Sequence, residues 1–505
     1  MLAIVPSFLL FFATLSLVPS TNTLNNQDSS SGGSAFAYAS QQHAVSSATS
    51  TKNKPPHETL PTSTLNQRKS YELVQVQIVH RHGDRTPITP MKDEKYWGET
   101  LPSKNLLSKI AEGTKIKREG DSNGANHAAG GRGPFGKLTQ LGLLQMIQVG
   151  SSLREQLYLE TQSGGHNKSS SISSSTSTSD NDEYHLDDQG NIYLHQGRLF
   201  HPNAPLSPSK ISVKSTDFPR TVQSVQALLV GMFPDGLDNH EIEIDARFTD
   251  LMIPDPQPRG TQEQVQLEKT LSQRDYLLDK EEQLKHLAKK VSLELKPFIG
   301  EDATSVSFGI GEEGDLKAAT ERPLSFSQLS EIMVCLNVRG LLPESITMEE
   351  YETVTSHSAW KWFENLRDSR LAFLAMKSFM NFIMENLENG LNTSSVKNQE
   401  QTKLHVFSAH DSSLIGLMCA FRLQQPSQWP EYGSYLKIEL FKAQPFATRG
   451  DEVITGSGDE YFVRFSLNGN VLKSEWGLGE ADYLEATDMI PLEHLQESIK
   501  SEHGF

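Results

Sequence analysis

The sequence predicts an α/β fold with a mainly parallel sheet, flanked by helices and carrying an inserted, mainly helical cap domain. Three short apolar or alternating segments, residues 72–79, 210–214 and 404–409, are typical of strands, and each runs into a polar cluster. Helical patterns follow the clusters, as in proteins whose strands and helices alternate. Because the carboxyl ends of parallel strands share one edge, we expect the three clusters to meet there.

The polar clusters contain most of the residues that are chemically informative. The first is Arg81-His82-Gly83-Asp84-Arg85-Thr86-Pro87, directly after the first strand. The second is Ser215-Thr216-Asp217-Phe218-Pro219-Arg220, followed by a helical pattern over residues 221–232. The third is the pair His410-Asp411, followed by a helix through the apolar positions 414, 417 and 418.

A long helical region separates the second cluster from the third. Its apolar residues recur at helical spacing, which is typical of core packing. We expect residues 250–350 to form a cap over the site and a helix over about 358–388 to pack back on the sheet. Segments 436–441 and 461–465 predict a terminal pair of strands.

These patterns suggest six divisions of the chain. They are a signal peptide or signal anchor (1–20), a Ser/Thr-rich stalk (21–70), the first part of the α/β core (71–250), the helical cap (251–350), the second part of the core (351–480) and a tail (481–505). The stalk has too few apolar residues to offset the entropy of ordering, so we expect it to be disordered.

The overall charge restricts the possible partners. The chain has 505 residues, 36% of them apolar, and a net charge of −17. A strongly acidic protein is a poor partner for nucleic acid, because binding to the phosphate backbone needs a basic surface. An anionic substrate would need arginines concentrated at one place.

Several features indicate the secretory pathway. The uncharged apolar run from Phe8 to Val18 resembles a cleaved signal peptide, although an uncleaved anchor of a type II membrane protein in the Golgi or at the cell surface is the alternative. Asn167 and Asn392 begin two glycosylation sequons in polar stretches. We expect a secreted or lysosome- or vacuole-like glycoprotein. Cys335 and Cys419 lie in apolar helical patterns, so we interpret both cysteines as buried free thiols.

The first cluster predicts an oxyanion site. Arg81 and Arg85 place two guanidinium groups around His82, and guanidinium groups pair bidentately with phosphate oxygens. A neutral imidazole can attack phosphorus, and neighbouring positive charges keep it unprotonated. Gly83 lets the backbone approach whatever binds.

These residues resemble a known family. The pattern Arg81-His82-Gly83-x-Arg85-x-Pro87, together with His410-Asp411, is similar to the histidine acid phosphatases of the histidine phosphatase superfamily. The resemblance extends to residues 138–142, 215–220 and 461–464 and covers most of residues 72–470. It implies that His82 is the nucleophile and Asp411 the proton donor. It further implies that phosphate is bound by Arg81, Arg85, Arg220 and His410, that the intermediate is a phosphohistidine, and that no metal or other cofactor takes part.

Other interpretations of the same residues remain open. Asp411 could be a helix cap with no catalytic role, Arg220 could be a solvated arginine, and His410 could be an ordinary strand-end histidine. His80 and His82 lie on the same side of a strand, the spacing of some metal-dependent hydrolases, although Arg81 and Arg85 would repel a cation. A catalytically inactive surface binding module is a further alternative.

The resemblance leaves the substrate open. Asp84 and the pair His410-Asp411 are closer to the general acid phosphatase branch than to the phytase-like branch, so a small phosphomonoester is expected. Phytate, lysophospholipid phosphate and phosphorylated glycans are alternatives within the family. The resemblance also allows a homodimer, and membrane association is expected only if the N-terminal segment is retained.

Overall fold

The computed structural model describes residues 70–118, 133–157, 199–200, 207–234, 240–247, 249–253, 261–300, 323–391, 401–424, 429–444, 460–477 and 488–503. The predicted signal segment, both sequons and all of the predicted stalk except its last residue, Ser70, lie outside these ranges. Among the helices that are described, none is both long enough and apolar enough to cross a membrane.

Nine strands in the described residues form one mixed sheet. They are β1 (Ser70–Arg81), β2 (Thr114–Lys117), β3 (Ile211–Ser215), β4 (Ile242–Asp245), β5 (Leu404–Ala409), β6 (Tyr435–Gln444), β7 (Tyr461–Leu467), β8 (Asn470–Leu472) and β9 (Ile490–Pro491). The order is β2-β4-β3-β5-β1-β6-β7-β8, and β9 pairs with β7.

The sheet has a parallel half and an antiparallel half. Strands β2, β4, β3, β5 and β1 run parallel, whereas β6 pairs antiparallel with β1 and with β7. The predicted α/β fold and the terminal strand pair are both confirmed. Because that pair continues the main sheet next to β1, the sheet is mixed.

Helices cover both faces of this sheet. They are α1 (Glu94–Glu99), α2 (Lys104–Ala111), α3 (Gln140–Leu157), α4 (Pro219–Met232), α5 (Thr249–Met252), α6 (Gln262–Ser272), α7 (Asp275–Leu295), α8 (Phe326–Asn337), α9 (Met348–Leu366), α10 (Ser369–Leu391), α11 (Asp411–Ala420) and α12 (Leu492–His503). The helices α6 to α8 belong to the predicted helical region between β4 and β5.

Two hydrophobic clusters lie on opposite faces of the sheet, because successive strand residues point to opposite sides. Ile78 and Val406 belong to the cluster that includes α3 and α4, whereas Val79 and Phe407 belong to the cluster that includes α8 to α11. Every residue of β5 is buried, as expected for a central parallel strand covered on both faces.

The helix predicted over residues 358–388 is two helices, α9 and α10. Asp368 separates them, and its side chain accepts a hydrogen bond from the Leu371 backbone N–H (3.1 Å), which starts a new helix. As predicted, α10 packs on β1: the amides of Gln75 and Gln77 donate to the carbonyls of Asn386 and Ile383. This contact ties the helix to the strand that leads into the first cluster.

Both cysteines are free and buried, as the sequence predicts. Cys335 lies in α8 and Cys419 in α11.

Candidate active site

The three polar clusters meet at one edge of the sheet. Strands β3, β5 and β1 are neighbours, with Ser215 and His80 both opposite Ser408. Each of the three strands therefore ends at the same level. The six residues named from the sequence are all buried there, at 0–6% exposure: Arg81, His82, Arg85, Arg220, His410 and Asp411.

Two glycines allow the loop after β1 to lie directly on the start of α3. A Cβ atom on Gly83 would lie 2.3 Å from the Gly142 carbonyl oxygen, so no larger residue fits without backbone movement. Thr139 donates its backbone N–H to the Asp84 carbonyl (3.0 Å) and its hydroxyl to the Asp84 carboxylate. The segment around Thr139 is therefore hydrogen-bonded to the first cluster, and Asp84 has a structural role in this contact.

The tautomer of His82 follows from its hydrogen bond. His82 Nδ1 lies 2.9 Å from the Gly83 carbonyl oxygen, and a carbonyl can only accept. Nδ1 therefore has the hydrogen, and Nε2 keeps its lone pair. Nε2 is buried and has no hydrogen-bond partner among the described residues.

His82 is surrounded by positive charge. Burial, and then the charges of Arg220 and Arg81, hold the pKa of His82 well below the usual value of 6.5. His410 lies beside it, with ring centroids 5.6 Å apart, and burial and the same two arginines also lower the pKa of His410. Both shifts favour the neutral imidazole.

Three guanidinium groups converge on His82 from three elements. Arg81 is the last residue of β1, Arg85 lies in the loop after it, and Arg220 lies in the first turn of α4. Burial and the charge of Arg85 lower the pKa of Arg220 to about 9. Positive charge is so concentrated here that an anion would stabilise the site.

Asp411 lies at the first position of α11, and His410 occupies the N-cap position. Asp411 Oδ2 contacts Arg81 Nη2 (2.9 Å) and accepts a hydrogen bond from Trp429 Nε1 (3.3 Å). Asp411 Oδ1 accepts from the Ser412 backbone N–H (2.8 Å). One carboxylate oxygen thus contacts the helix backbone, while the other contacts an arginine of the site.

Several residues of the site were not identified from the sequence. The segment 429–434 crosses the site: Arg81 donates to the Pro430 carbonyl (2.8 Å), and the Tyr432 ring lies 4.2 Å from the Arg81 guanidinium. Glu331, from α8, contacts Arg85 Nη1 (3.0 Å). These residues come from distant parts of the chain, and no local pattern distinguishes them.

The histidine pair considered as a metal site has a different environment. His80 Nδ1 lies 3.0 Å from the Arg81 carbonyl, and burial lowers the pKa of His80 to about 4. Within the described ranges, no group of three or more His, Cys, Asp or Glu side chains is arranged to hold a metal ion.

A buried imidazole among guanidinium groups, at the carboxyl edge of parallel strands, is typical of an enzyme that binds an oxyanion. Residues 72–468 match the histidine phosphatase superfamily (branch 2), and the chain belongs to this family. The resemblance noted in the sequence is confirmed. The protein is accordingly a hydrolase of phosphoric monoesters.

Curated relatives match most of the chain. Counting factor 60 of Dictyostelium discoideum is 25% identical over 434 residues, 81% of this chain and 82% of the relative. The lysophosphatidic acid phosphatase type 6 of Mus musculus is 21% identical over 415 residues, 80% of each chain. The solved structure of the phytase from Citrobacter braakii superposes with a TM-score of 0.51 at 16% identity, over 86% of this chain and 98% of the phytase. This last similarity concerns the fold alone.

Proposed function

We propose that this protein is an acid phosphatase that hydrolyses phosphomonoesters through a phosphohistidine on His82. One observation carries the proposal: His82 donates Nδ1–H to the Gly83 carbonyl and keeps a buried Nε2 lone pair among three arginines. The low pKa of His82 leaves this nitrogen nucleophilic at acidic pH, where an ordinary histidine would be protonated.

In the first step, the Nε2 lone pair attacks phosphorus while the bond from phosphorus to the ester oxygen breaks. Charge spreads over the phosphoryl oxygens, where guanidinium groups stabilise it. Arg81, Arg85 and Arg220 fill this role, and His410, whose Nε2 lies 3.1 Å from Thr216 Oγ1, is a further phosphate ligand. The leaving alkoxide takes a proton from Asp411.

In the second step, water attacks the phosphohistidine and the bond between phosphorus and Nε2 breaks. Asp411, now a carboxylate, accepts a proton from the water, and His82 recovers its lone pair. Inorganic phosphate is the product. Throughout both steps, the hydrogen bond from Nδ1 to Gly83 keeps the ring oriented.

General acid catalysis requires Asp411 to be protonated before the ester bond breaks. We therefore expect the rate to fall as pH rises, which gives an acid optimum.

A small phosphomonoester is the proposed substrate. Asp84 and the His410-Asp411 pair support the general acid phosphatase branch. One relative is named a lysophosphatidic acid phosphatase, which makes a lysophospholipid phosphate the second candidate. Assay of the purified protein on a panel of alkyl, aryl, inositol, sugar and lysophospholipid phosphates would decide between them.

The role of Asp411 has a direct test in the variant Asp411→Asn. Asn keeps the shape of the side chain but has no proton to donate to the leaving oxygen. Alkyl phosphates, whose alkoxides need that proton, should lose far more kcat/KM than p-nitrophenyl phosphate does. Equal losses on both substrates would mean that Asp411 is a structural residue only.

We also propose a secretory location, on the basis of the apolar run from Phe8 to Val18 and the sequons at Asn167 and Asn392. Expression in a eukaryotic secretory host should yield protein whose apparent mass falls on treatment with an N-glycosidase. Material that stays in the cytosol, with unchanged mass, would contradict this location.

A further inference from the structure

One face of α8 contacts the loop that follows β1. Glu331 and Cys335 lie in α8, and Arg339 lies two residues beyond its end. Residues four apart share one side of a helix, and all three approach residues 84–89. The contacts join segments that are about 250 residues apart in the chain.

Glu331 makes the largest number of these contacts. Its Oε1 accepts from Arg85 Nη1 (3.0 Å) and from the Ile88 backbone N–H (2.6 Å). Its Oε2 accepts from the Thr89 backbone N–H (3.4 Å). Glu331 is only 2% exposed, and a buried carboxylate is tolerated only when it is paired in this way.

Arg339 holds the other end of the loop. Its Nη2 lies 2.6 Å from Asp84 Oδ2, and its guanidinium packs over the Trp97 ring at 4.9 Å. Between the two charged contacts, Cys335 Sγ lies 3.7 Å from the Arg85 carbonyl oxygen. Residues on both sides of Arg85 are therefore attached to the same side of α8 and the residues just after it.

The helix itself is firmly held. Ser325 and Gln328 form a capping box at its start. On its other sides, Leu329, Ile332 and Met333 are fully buried in the hydrophobic cluster. Such a helix provides a rigid support for side chains that must be placed accurately.

We propose that this face of α8 positions the phosphate-binding loop, with Glu331 as the positioning residue that orients the Arg85 guanidinium toward phosphate. The inference rests on the proposed function, in which Arg85 binds the phosphoryl group. Because the Arg85 guanidinium group is already held at Nη1, it loses little conformational freedom when it binds phosphate. The rival interpretation is an ion pair that stabilises the fold and does not affect phosphate binding.

The variant Glu331→Gln separates the two interpretations. Gln keeps an oxygen that can accept from Ile88 but loses the charge that holds Arg85. We expect kcat/KM to fall roughly 10- to 100-fold, the range for lost partners that orient metal ligands, and the Ki of inorganic phosphate to rise. The matched control is Ser330→Ala, a buried neighbour on the same helix, which should leave both constants unchanged. Native kcat/KM and Ki in a folded Glu331→Gln protein would overturn the proposal.

If Glu331→Gln does not fold, Glu331→Asp provides the same test. Asp keeps the charge, but its side chain is one methylene shorter, so the carboxylate lies farther from Arg85. The Ki of inorganic phosphate should therefore still rise, although by less than when the charge is lost completely. An unchanged Ki in this variant would overturn the proposal.

A double variant tests whether Glu331 acts through Arg85. If it does, Arg85→Ala with Glu331→Gln should have the same kcat/KM as Arg85→Ala alone. Losses that multiply would contradict a role through Arg85. Native kcat/KM in Arg85→Ala would instead mean that Arg85 does not bind phosphate, which is a failure of the proposed function. If Arg85→Ala has a lowered kcat/KM while Glu331→Gln has a native kcat/KM, only the positioning role of Glu331 is contradicted.

Discussion

Buried charges lie in two parts of this sheet, and they are arranged differently. In the antiparallel half, Glu439 on β6 contacts Lys437 (3.0 Å) and Arg464 (2.8 Å), whose side chains are 10% and 20% exposed. At the carboxyl edge of the parallel half, the side chains of Arg81 and Arg85 are fully buried beside two imidazoles. In the first region, the side chains of the two cations are partly exposed. In the second region, those of the two arginines are not exposed at all.

This difference indicates what each region does. Two partly exposed cations that share one carboxylate, as in the antiparallel half, contribute to stability. Burial, and then repulsion between cations that are buried together, lowers the pKa values of His82, His410 and Arg220. Such an arrangement persists only where the rest of the fold holds it, and it favours a bound anion.

The largest effect should come from His82→Ala. Removal of the nucleophile should lower kcat by on the order of 10⁴-fold or more. The arginines remain, so inorganic phosphate should still raise the melting temperature of the variant. Substantial residual turnover, measured with protein free of host phosphatase, would contradict a nucleophilic role.

The next largest effect should come from Arg220→Ala. Loss of one guanidinium that contacts both the bound phosphate and the transition state should raise KM and lower kcat, by about 2–4 kcal/mol in kcat/KM. A variant with near-native kcat/KM would mean that Arg220 does not contact the substrate.

The same variant should change the pH profile. A lowered pKa means that His82 takes up a proton only well below pH 6.5, so the acid limb of kcat/KM lies below the ordinary histidine range. Arg220 is the largest charge that lowers this pKa. Its removal should raise the pKa of His82 and move the acid limb to higher pH, and an unmoved limb would contradict this account.

A smaller effect is expected for Trp429→Phe. Phe can still pack against the Trp362 ring but cannot donate to Asp411. Loss of one hydrogen bond to the neutral carboxyl group should cost about 0.5–1.5 kcal/mol in the leaving-group step, and less with good leaving groups. The ratio of kcat/KM for alkyl and p-nitrophenyl phosphates measures it. An unchanged ratio would show that Trp429 does not orient the proton donor.

The smallest effect on activity should come from Glu439→Gln in the antiparallel half. Its two cations would lose their shared carboxylate, so the free energy of unfolding should fall by about 1–3 kcal/mol. Because the substituted residue lies outside the site, kcat/KM should stay near its native value. Denaturant unfolding and steady-state kinetics test both statements. A large loss of kcat/KM would contradict the assignment of a purely stabilising role to this region.

Much of the site could be predicted because its main residues follow strands directly. The apolar runs before Arg81 and His410 predicted β1 and β5, and the rule for parallel strands brought the clusters together. Glu331 and Trp429 could not be predicted in this way. Their roles depend on contacts across 246 and 18 residues, and neither a Glu in an apolar helical pattern nor a Trp in a polar segment has a local mark of function.

Parts of the fold were also beyond local patterns. The short parallel strands β2 and β4 have four residues each, with more buried residues alternating with less buried ones. Runs of that length do not distinguish a strand from a loop. The break between α9 and α10 depends on one cap, Asp368, within an otherwise continuous helical pattern.

The central claim is that phosphate is transferred to His82, and trapping the intermediate tests it most directly. Enzyme mixed with a ³²P-labelled phosphomonoester and quenched during turnover should retain label, and the bond should be labile in acid and stable in base. Peptide mapping should place the label on His82, and His82→Ala should retain none. Label on a carboxylate, or turnover without any labelled intermediate under these conditions, would contradict the account.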